Sequence, residues 1–372
     1  MKILYVTTIG STMNFFSSFI RQLLDEGHTV DIATNESSSK VPRCYKEWGC
    51  TVYQIDTSRS PLNMGNIKAI TRIKALVEKG KYDLVHCHTP VAAMCTRLAC
   101  CKDRKKGTKV FYTAHGFHFY EGAPLKNWLL YYPVEKICSY FTDVLITINH
   151  EDYALAKKKM KAKRLEYVPG VGVDLKRFEN VQVDRMVKRR EIGVPEDAFV
   201  LLSVGELNAN KNHQIIIKAL AEVNNPSVHY VIAGMGDKKD ALLELAKRLG
   251  VSQQVHLLGY RKDIPELNKA ADVFCFPSYR EGLAIAPIEA MASGLPLLTS
   301  NIRGVNDYSI DGVTGYMFKP SDVNGFSEGI KRLKEDDSLR IEMGKNNIEC
   351  AQQYSLARIN TQMREVYKRE RY

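Results

Sequence analysis

No stretch of this 372-residue sequence stays apolar for the length of a bilayer, so no membrane-spanning helix is expected. Nine cysteines are present without a single C-x-x-C pair, which removes the common zinc and redox spacings. Cys87, Cys138 and Cys275 lie inside apolar runs, and the adjacent Cys100 and Cys101 are poorly placed to bridge each other. Buried free thiols in a reducing compartment are the expectation. There is no D-x-D sequence and no cluster of carboxylates for a hard cation, so no metal site is expected. The first turn reads IGSTMNFF where a G-x-G-x-x-G would stand, so the first domain carries no dinucleotide fingerprint. The opening KILYVTTIG is too short and wrongly flanked for a secretion signal and reads as a buried first strand, giving a cytoplasmic expectation.

What is present is an ordinary globular composition, 45% hydrophobic and 26% charged. The length exceeds one compact core and fits two domains. The net charge of +11 gathers in three basic bunches, 102–109, 157–164 (KKKMKAKR) and 185–190. No nucleic-acid module accompanies them, so nucleic acid is not an expected partner. An anionic membrane surface is, since each charge close to such a surface gains about 1 kcal/mol. The expected location is therefore peripheral, on the inner face of the cell membrane.

Apolar runs alternate with helical patterns: KILYVTT, HTVDIAT, TVYQIDT, then runs at 83–88, 109–114 and 143–148. A second series holds FVLLSVG, HYVIAG, VHLLG and DVFCFPS. Such alternation implies α/β architecture with parallel sheets covered on both faces. It divides the chain into a doubly wound domain at 1–170, a linker at 171–195 marked by Pro169, Gly170 and Gly172, a second doubly wound domain at 196–355, and a last helix at 356–372. Ligands sit beyond the carboxyl ends of parallel strands, so the two domains are expected to aim strand-end loops into a shared cleft.

The segment 277–294, PSYREGLAIAPIEAMASG, carries the most chemistry. Glu281 and Glu289 lie eight residues apart, close to two helical turns, so a mostly helical spacer would turn both carboxylates to one side. Gly282 marks a turn, and the following helix start offers backbone N–H groups and a positive dipole end to phosphate. Carboxylates beside such a site accept hydrogen bonds from sugar hydroxyls, which suits a nucleotide sugar. Taken alone, an E-x7-E spacing more readily describes two surface carboxylates at a helix start.

With PS before the first Glu, Gly after it and EAMASGLP behind, the segment resembles family-4 retaining glycosyltransferases of the GT-B fold. The blocks TAHGFHFYEGAPLKNW, VLITINHEDY, YVPGVGVDLKRF and SVGELNANKNHQ extend the resemblance along the chain, most closely to bacterial capsular and exopolysaccharide glycosyltransferases. That resemblance implies two Rossmann-like domains, with the last helix crossing back to the first. It implies that Glu281 contacts the donor sugar, Glu289 the ribose, and the backbone of Gly282 and Leu283 the diphosphate. Lys211, in the loop begun by Gly205, would neutralise the leaving diphosphate without a metal. Many relatives have Arg directly after that glycine; here stands Glu206, with Arg280 or Arg261 as candidate substitutes. Gly234 and Gly236 would allow close backbone approach to the nucleotide, Tyr260 and Arg261 would lie by the base, and Gly10 by the donor phosphate. His115 matches a position that approaches the donor sugar or acceptor hydroxyl, where an ordinary imidazole handles protons at neutral pH. His118, Phe117, Phe119 and Tyr120 would form the acceptor wall. His86 and His88 alternate at a strand end and receive no role.

The resemblance further implies a nucleotide-sugar donor, most simply UDP-linked, a polyprenyl-diphosphate-linked saccharide acceptor, and no cofactor. Two other readings compete: a UDP-N-acetylglucosamine 2-epimerase-like enzyme, against which the framed E-x7-E block speaks, and a non-catalytic nucleotide-sugar-binding protein, which only Glu206 favours.

Overall fold

The computed structural model describes residues 1–58, 60 and 63–369; residues 370–372, the end of the expected last helix, lie outside the described residues. The chain forms two compact units, Met1–Val171 joined by the C-terminal stretch from Ala357, and Gly172–Leu356.

Unit 1 is a seven-stranded sheet of β1 (Lys2–Ile9), β2 (Thr29–Asn35), β3 (Val52–Gln54), β4 (Leu84–His88), β5 (Lys109–Ala114), β6 (Val144–Thr147) and β7 (Arg164–Tyr167), in the order β3-β2-β1-β4-β5-β6-β7. All its pairings are parallel. Every residue of β4 and β6 is buried, as expected for central strands of a sheet covered on both faces, although β4 (LVHCH) carries two histidines among its apolar residues. Successive side chains still part to opposite faces. Leu4, Val6, Val85, Cys87, Val110 and Tyr112 enter one core cluster, while Ile3, Tyr5, Leu84, Phe111 and Val144 enter another. The helix Leu356–Lys368 closes the second cluster with Ile359, Val366 and Tyr367.

Unit 2 is a six-stranded parallel sheet of β8 (Phe199–Val204), β9 (Val228–Ala233), β10 (Val255–Gly259), β11 (Val273–Phe276), β12 (Leu297–Ser300) and β13 (Gly315–Phe318), ordered β10-β9-β8-β11-β12-β13. The stretch 171–195 is not a free linker. From Gly172 onward it belongs to unit 2, where Val173, Leu175, Phe178, Ile192 and Val194 are core residues. The basic bunch at 185–190 is likewise spent on structure. Lys188 meets Glu191 and Asp263, Arg185 and Arg189 both meet Asp272, and Arg190 meets Glu196.

Strand order reverses between β1 and β4 in one sheet and between β8 and β11 in the other. Loops leaving the carboxyl ends of these strands are where open α/β sheets bind ligands. All nine cysteines are free thiols, and burial pushes Cys87 up to about 12 and Cys138 up to about 11, so neither is a ready nucleophile.

Candidate functional site

In unit 2 the reversal point brings together the loop after β8 and the loop after β11. Lys211, near the end of the first, donates from Nζ to Glu281 Oε1 of the second at 2.8 Å. Their side chains are 21% and 15% exposed, and Nζ also lies 4.6 Å from the Phe276 ring centroid. A cation so placed is held by a carboxylate and an aromatic face while still reached by solvent. Two asparagines staple the loops: Asn210 donates to the Arg280 carbonyl at 2.9 Å and Asn212 to the Pro277 carbonyl at 3.0 Å. Asn212 holds a left-handed φ of 52°, which asparagine tolerates better than most residues, and the helix His213–Val223 begins directly after it.

The helix after β11 starts only at Ile285, so residues 281–284 are loop. A mostly helical spacer is therefore not what places the carboxylates: Glu281 is set by the loop and Lys211, Glu289 by the helix. Burial raises Glu289 to about 6, with the Arg177 guanidinium pulling in the opposite direction. The turn at Gly282 is pressed by the loop after β12. A Cβ on Gly304, which has φ +76°, would come within 2.0 Å of the Gly282 carbonyl oxygen. Leu283 is partly buried and packs against the unit 2 core.

Other expectations for this unit change. A Cβ on Gly234 would meet the Gly205 carbonyl at 1.8 Å, and one on Gly236 the Leu207 carbonyl at 2.3 Å. These glycines let two protein loops touch, which by itself accounts for them without a nucleotide. Arg261 is engaged by Asp263 and Glu191, so it is no spare cation for a diphosphate. Tyr260 stands 67% exposed beside it. Glu206 accepts from Asn208 Nδ2 at 2.9 Å, and Arg280 is exposed.

In unit 1 the loops after β4 and β5 carry a cluster of aromatic and imidazole rings. His115, just past β5, is partly buried, and its Nε2 lies 3.1 Å from His88 Nδ1. His86 is fully engaged, Nε2 with Thr113 Oγ1 at 2.8 Å and Nδ1 with the Tyr367 hydroxyl at 2.6 Å, and that hydroxyl meets Tyr5 at 2.9 Å. Burial lowers His115 to about 4, His86 to about 3 and His88 well below the ordinary value. His115 is therefore neutral at physiological pH and a weak base, unlike the ordinary imidazole expected there. Next to His88, Thr89 holds φ +66° and ψ 139°, a region β-branched residues rarely enter. It is fixed by Thr8, whose Oγ1 lies 2.6 Å from Thr89 Oγ1.

The expected acceptor wall divides in two. Phe117 and Phe119 are core residues, stacked on each other at 4.9 Å, so both are removed from that wall. His118 and Tyr120 stay partly exposed. Asn127 donates to the His118 carbonyl and Trp128 to the Tyr120 carbonyl, which fixes both to the helix Leu125–Ser139. His118 also stacks on Tyr131 of that helix at 4.5 Å. Gly10 packs on backbone, a Cβ there meeting the Ser39 carbonyl at 2.3 Å. No group of three or more His, Cys, Asp or Glu side chains suited to a metal occurs among the described residues. Nor is any described helix long and apolar enough to cross a membrane.

His86 and His88 were passed over in the sequence. Their signal was the alternation HCH on a strand ending at the reversal point.

Residues 2–149 match the family described as glycosyl transferase 4-like, and residues 184–349 the family described as glycosyl transferases group 1. EpsD of Bacillus subtilis (strain 168), assigned to the glycosyltransferases, is 37% identical over 98% of this chain and 96% of its own length. The UDP-Gal:alpha-D-GlcNAc-diphosphoundecaprenol alpha-1,3-galactosyltransferase of Escherichia coli is 31% identical over 76% of this chain and 73% of its own. HepE of Anabaena, solved in complex with UDP and glucose, shares the fold with a TM-score of 0.82 at 20% identity, each chain covering 99% of the other. With two parallel-sheet units and matches along both, this chain belongs to the group 1, family-4-like glycosyltransferases of the GT-B fold.

Proposed function

We propose that this enzyme moves a sugar, with retention of configuration, from a UDP-linked donor to a saccharide carried on a polyprenyl diphosphate during bacterial exopolysaccharide or capsule assembly. The observation that carries the reading is the Lys211–Glu281 pair at the strand-order reversal of unit 2. A transferred sugar leaves behind a diphosphate whose negative charge grows as the bond to the anomeric carbon breaks, and Lys211 meets that charge. The electron pair departs with the diphosphate. The acceptor oxygen bonds to the anomeric carbon on the vacated face, and its proton passes to the departing phosphate oxygen. Glu281 addresses the sugar, Glu289 the ribose hydroxyls, and the Gly282 and Leu283 backbone the diphosphate. Relatives support the substrates by their names: one uses UDP-Gal on a diphosphoundecaprenol-linked saccharide, and a fold neighbour was solved with UDP.

A lipid-linked acceptor calls for a surface that meets anionic lipid, and the helix Leu125–Ser139 supplies a candidate. Leu125 and Leu129 are 72% and 69% exposed. Pro133, Ile137 and Tyr140 continue the same exposed face. The helix's one carboxylate, Glu135, is buried on the other side with Arg97. Lys126 lies on the exposed face, Lys136 donates to the Lys159 carbonyl, and Lys157, Lys158, Lys159, Lys161 and Lys163 are exposed nearby. Apolar side chains rimmed by lysines suit the interface of an anionic bilayer. The opposite side of this helix holds His118 and Tyr120, the remaining acceptor-wall residues.

Calorimetry of UDP, GDP, ADP and their sugars in EDTA tests the donor assignment. One UDP-sugar should bind tightly, and Glu289→Ala should weaken it by about 1.5–3 kcal/mol, the range for hydrogen bonds to a charged group. Binding indifferent to that substitution would sink the assignment.

A further inference from the structure

We propose that His88 is a positioning residue that fixes which ring nitrogen of His115 carries the proton, so that His115 presents Nδ1–H to a substrate oxygen. The proposal rests on the reading that His115 touches substrate. His88 Nδ1 lies 3.1 Å from His115 Nε2, and both rings are neutral, so one nitrogen must donate and the other accept. His88 Nε2 decides between the two arrangements. It is fully buried, in a residue 1% exposed, and makes no hydrogen bond.

Were the His88 proton on Nε2, a buried N–H would be orphaned, which folded proteins avoid more strictly than an under-used acceptor. The proton therefore sits on Nδ1 and is donated to His115 Nε2. A neutral His115 that accepts at Nε2 must carry its own proton on Nδ1. The groups around His88 leave this arrangement intact. Tyr5 stacks on it at 5.5 Å and Phe16 lies at 4.2 Å between centroids. His86 approaches at 4.2 Å between centroids, but both its nitrogens are engaged by Thr113 and Tyr367. A cavity of about 30 Å³ borders His88, His115, Tyr5 and Asn360. It has room for about one water, which in the proposed arrangement donates to His88 Nε2.

His115 thus acts as a neutral hydrogen-bond donor toward a sugar hydroxyl or a phosphate oxygen, and the acceptor's proton leaves by another route. A donor of this kind helps only if it is aimed, and the strained Thr89 joint aims the strand end that carries His88.

Long-range proton–nitrogen spectra of the histidine-labelled full chain read the tautomer directly. The wild type should show His115 protonated at Nδ1. His88→Asn, whose amide N–H stands near the place of Nδ1–H, should keep that signature. His88→Asp, an acceptor only, should move the proton to Nε2 or charge the ring, adding a pH dependence near neutrality. In kinetics, His88→Asn should stay close to wild type while His88→Asp and His88→Ala lose about tenfold in kcat with donor KM unchanged. An Nε2–H His115 in the wild type overturns the proposal, as does equal loss in all three variants. Full activity in His115→Ala would sink the reading of the site instead, and the spectra would still judge the pairing by themselves.

Discussion

Glu289 is held between burial and duty. Burial raises it to about 6, yet the role proposed for it, accepting from both ribose hydroxyls at once, needs both oxygens free of the proton. A raised carboxyl binds its proton more tightly in the folded state, so this group favours folding at low pH and weakens it as pH rises through the folded value. Glu289→Gln is therefore expected to stabilise the protein at pH 7 by about 1–2 kcal/mol, read as a higher melting temperature, while nucleotide binding suffers. In the wild type, donor affinity measured by calorimetry should fall as pH drops below about 6, and the Gln variant should bind weakly but evenly across the range. Lys211→Ala removes the cation and leaves Glu281 as a mostly buried charge; kcat should fall by about 10²–10³, as when an electrostatic contact to the leaving charge is lost. Single-turnover kinetics would separate that from a donor-binding defect. Glu281 and Glu289 stood out in the sequence because a framed motif carries both, and Lys211 because its block resembles the family's; that Lys211 and Glu281 pair is visible only in the structure. His88 was not, since its partner is 27 residues away and is reached only through the parallel register that sets His88 against Thr113. Phe117 misled because an aromatic beside a site and an aromatic in a core look alike in sequence.

Strands were the most legible elements, being continuous apolar runs that a two-sided parallel sheet must bury. Helix starts were less so: the helices after β8 and β11 begin at His213 and Ile285, because loop residues there are held by Asn210, Asn212 and the press of Gly304. These tertiary contacts leave no local pattern. The helix Leu125–Ser139 makes its own prediction. In flotation with vesicles rich in phosphatidylglycerol, the wild type should bind, and Leu125→Ser with Leu129→Ser should release it at any salt. Lys157, Lys158 and Lys159 changed together to Gln should weaken binding mainly at low ionic strength, since exposed charges are screened within about 10 Å at 0.1 M. Binding to neutral vesicles alone would sink the assignment of an anionic surface. The C-terminal helix is testable by one atom. Tyr367→Phe keeps the packing but strips a partner from both His86 and Tyr5, at a cost of about 1–3 kcal/mol, measurable as a lower denaturant midpoint.

For the molecule as a whole, the proposed donor site, in which Lys211 and backbone N–H groups meet the diphosphate charge, requires that turnover persist in excess EDTA. Loss of activity restored by magnesium would overturn that account. The doubling of the doubly wound plan was legible from alternation alone, whereas the return of the last helix to unit 1 came only from resemblance, since periodicity says a helix is amphipathic but not what it covers. The structure seats that helix in the core of unit 1, where Tyr367 bonds Tyr5 across 362 positions of sequence. Unit 2 is thus bracketed by the two parts of unit 1 in the order of the chain. A ribosome making this protein releases everything unit 2 needs before the final piece of unit 1 has been translated. Domains generally fold N-terminal first during synthesis, but here the N-terminal unit is completed only by residues that follow unit 2. The nascent first half must wait with Tyr5, His86 and Phe111 lacking the Tyr367 contacts that complete their cluster, and a chain without this helix would pair a complete unit 2 with an unfinished unit 1.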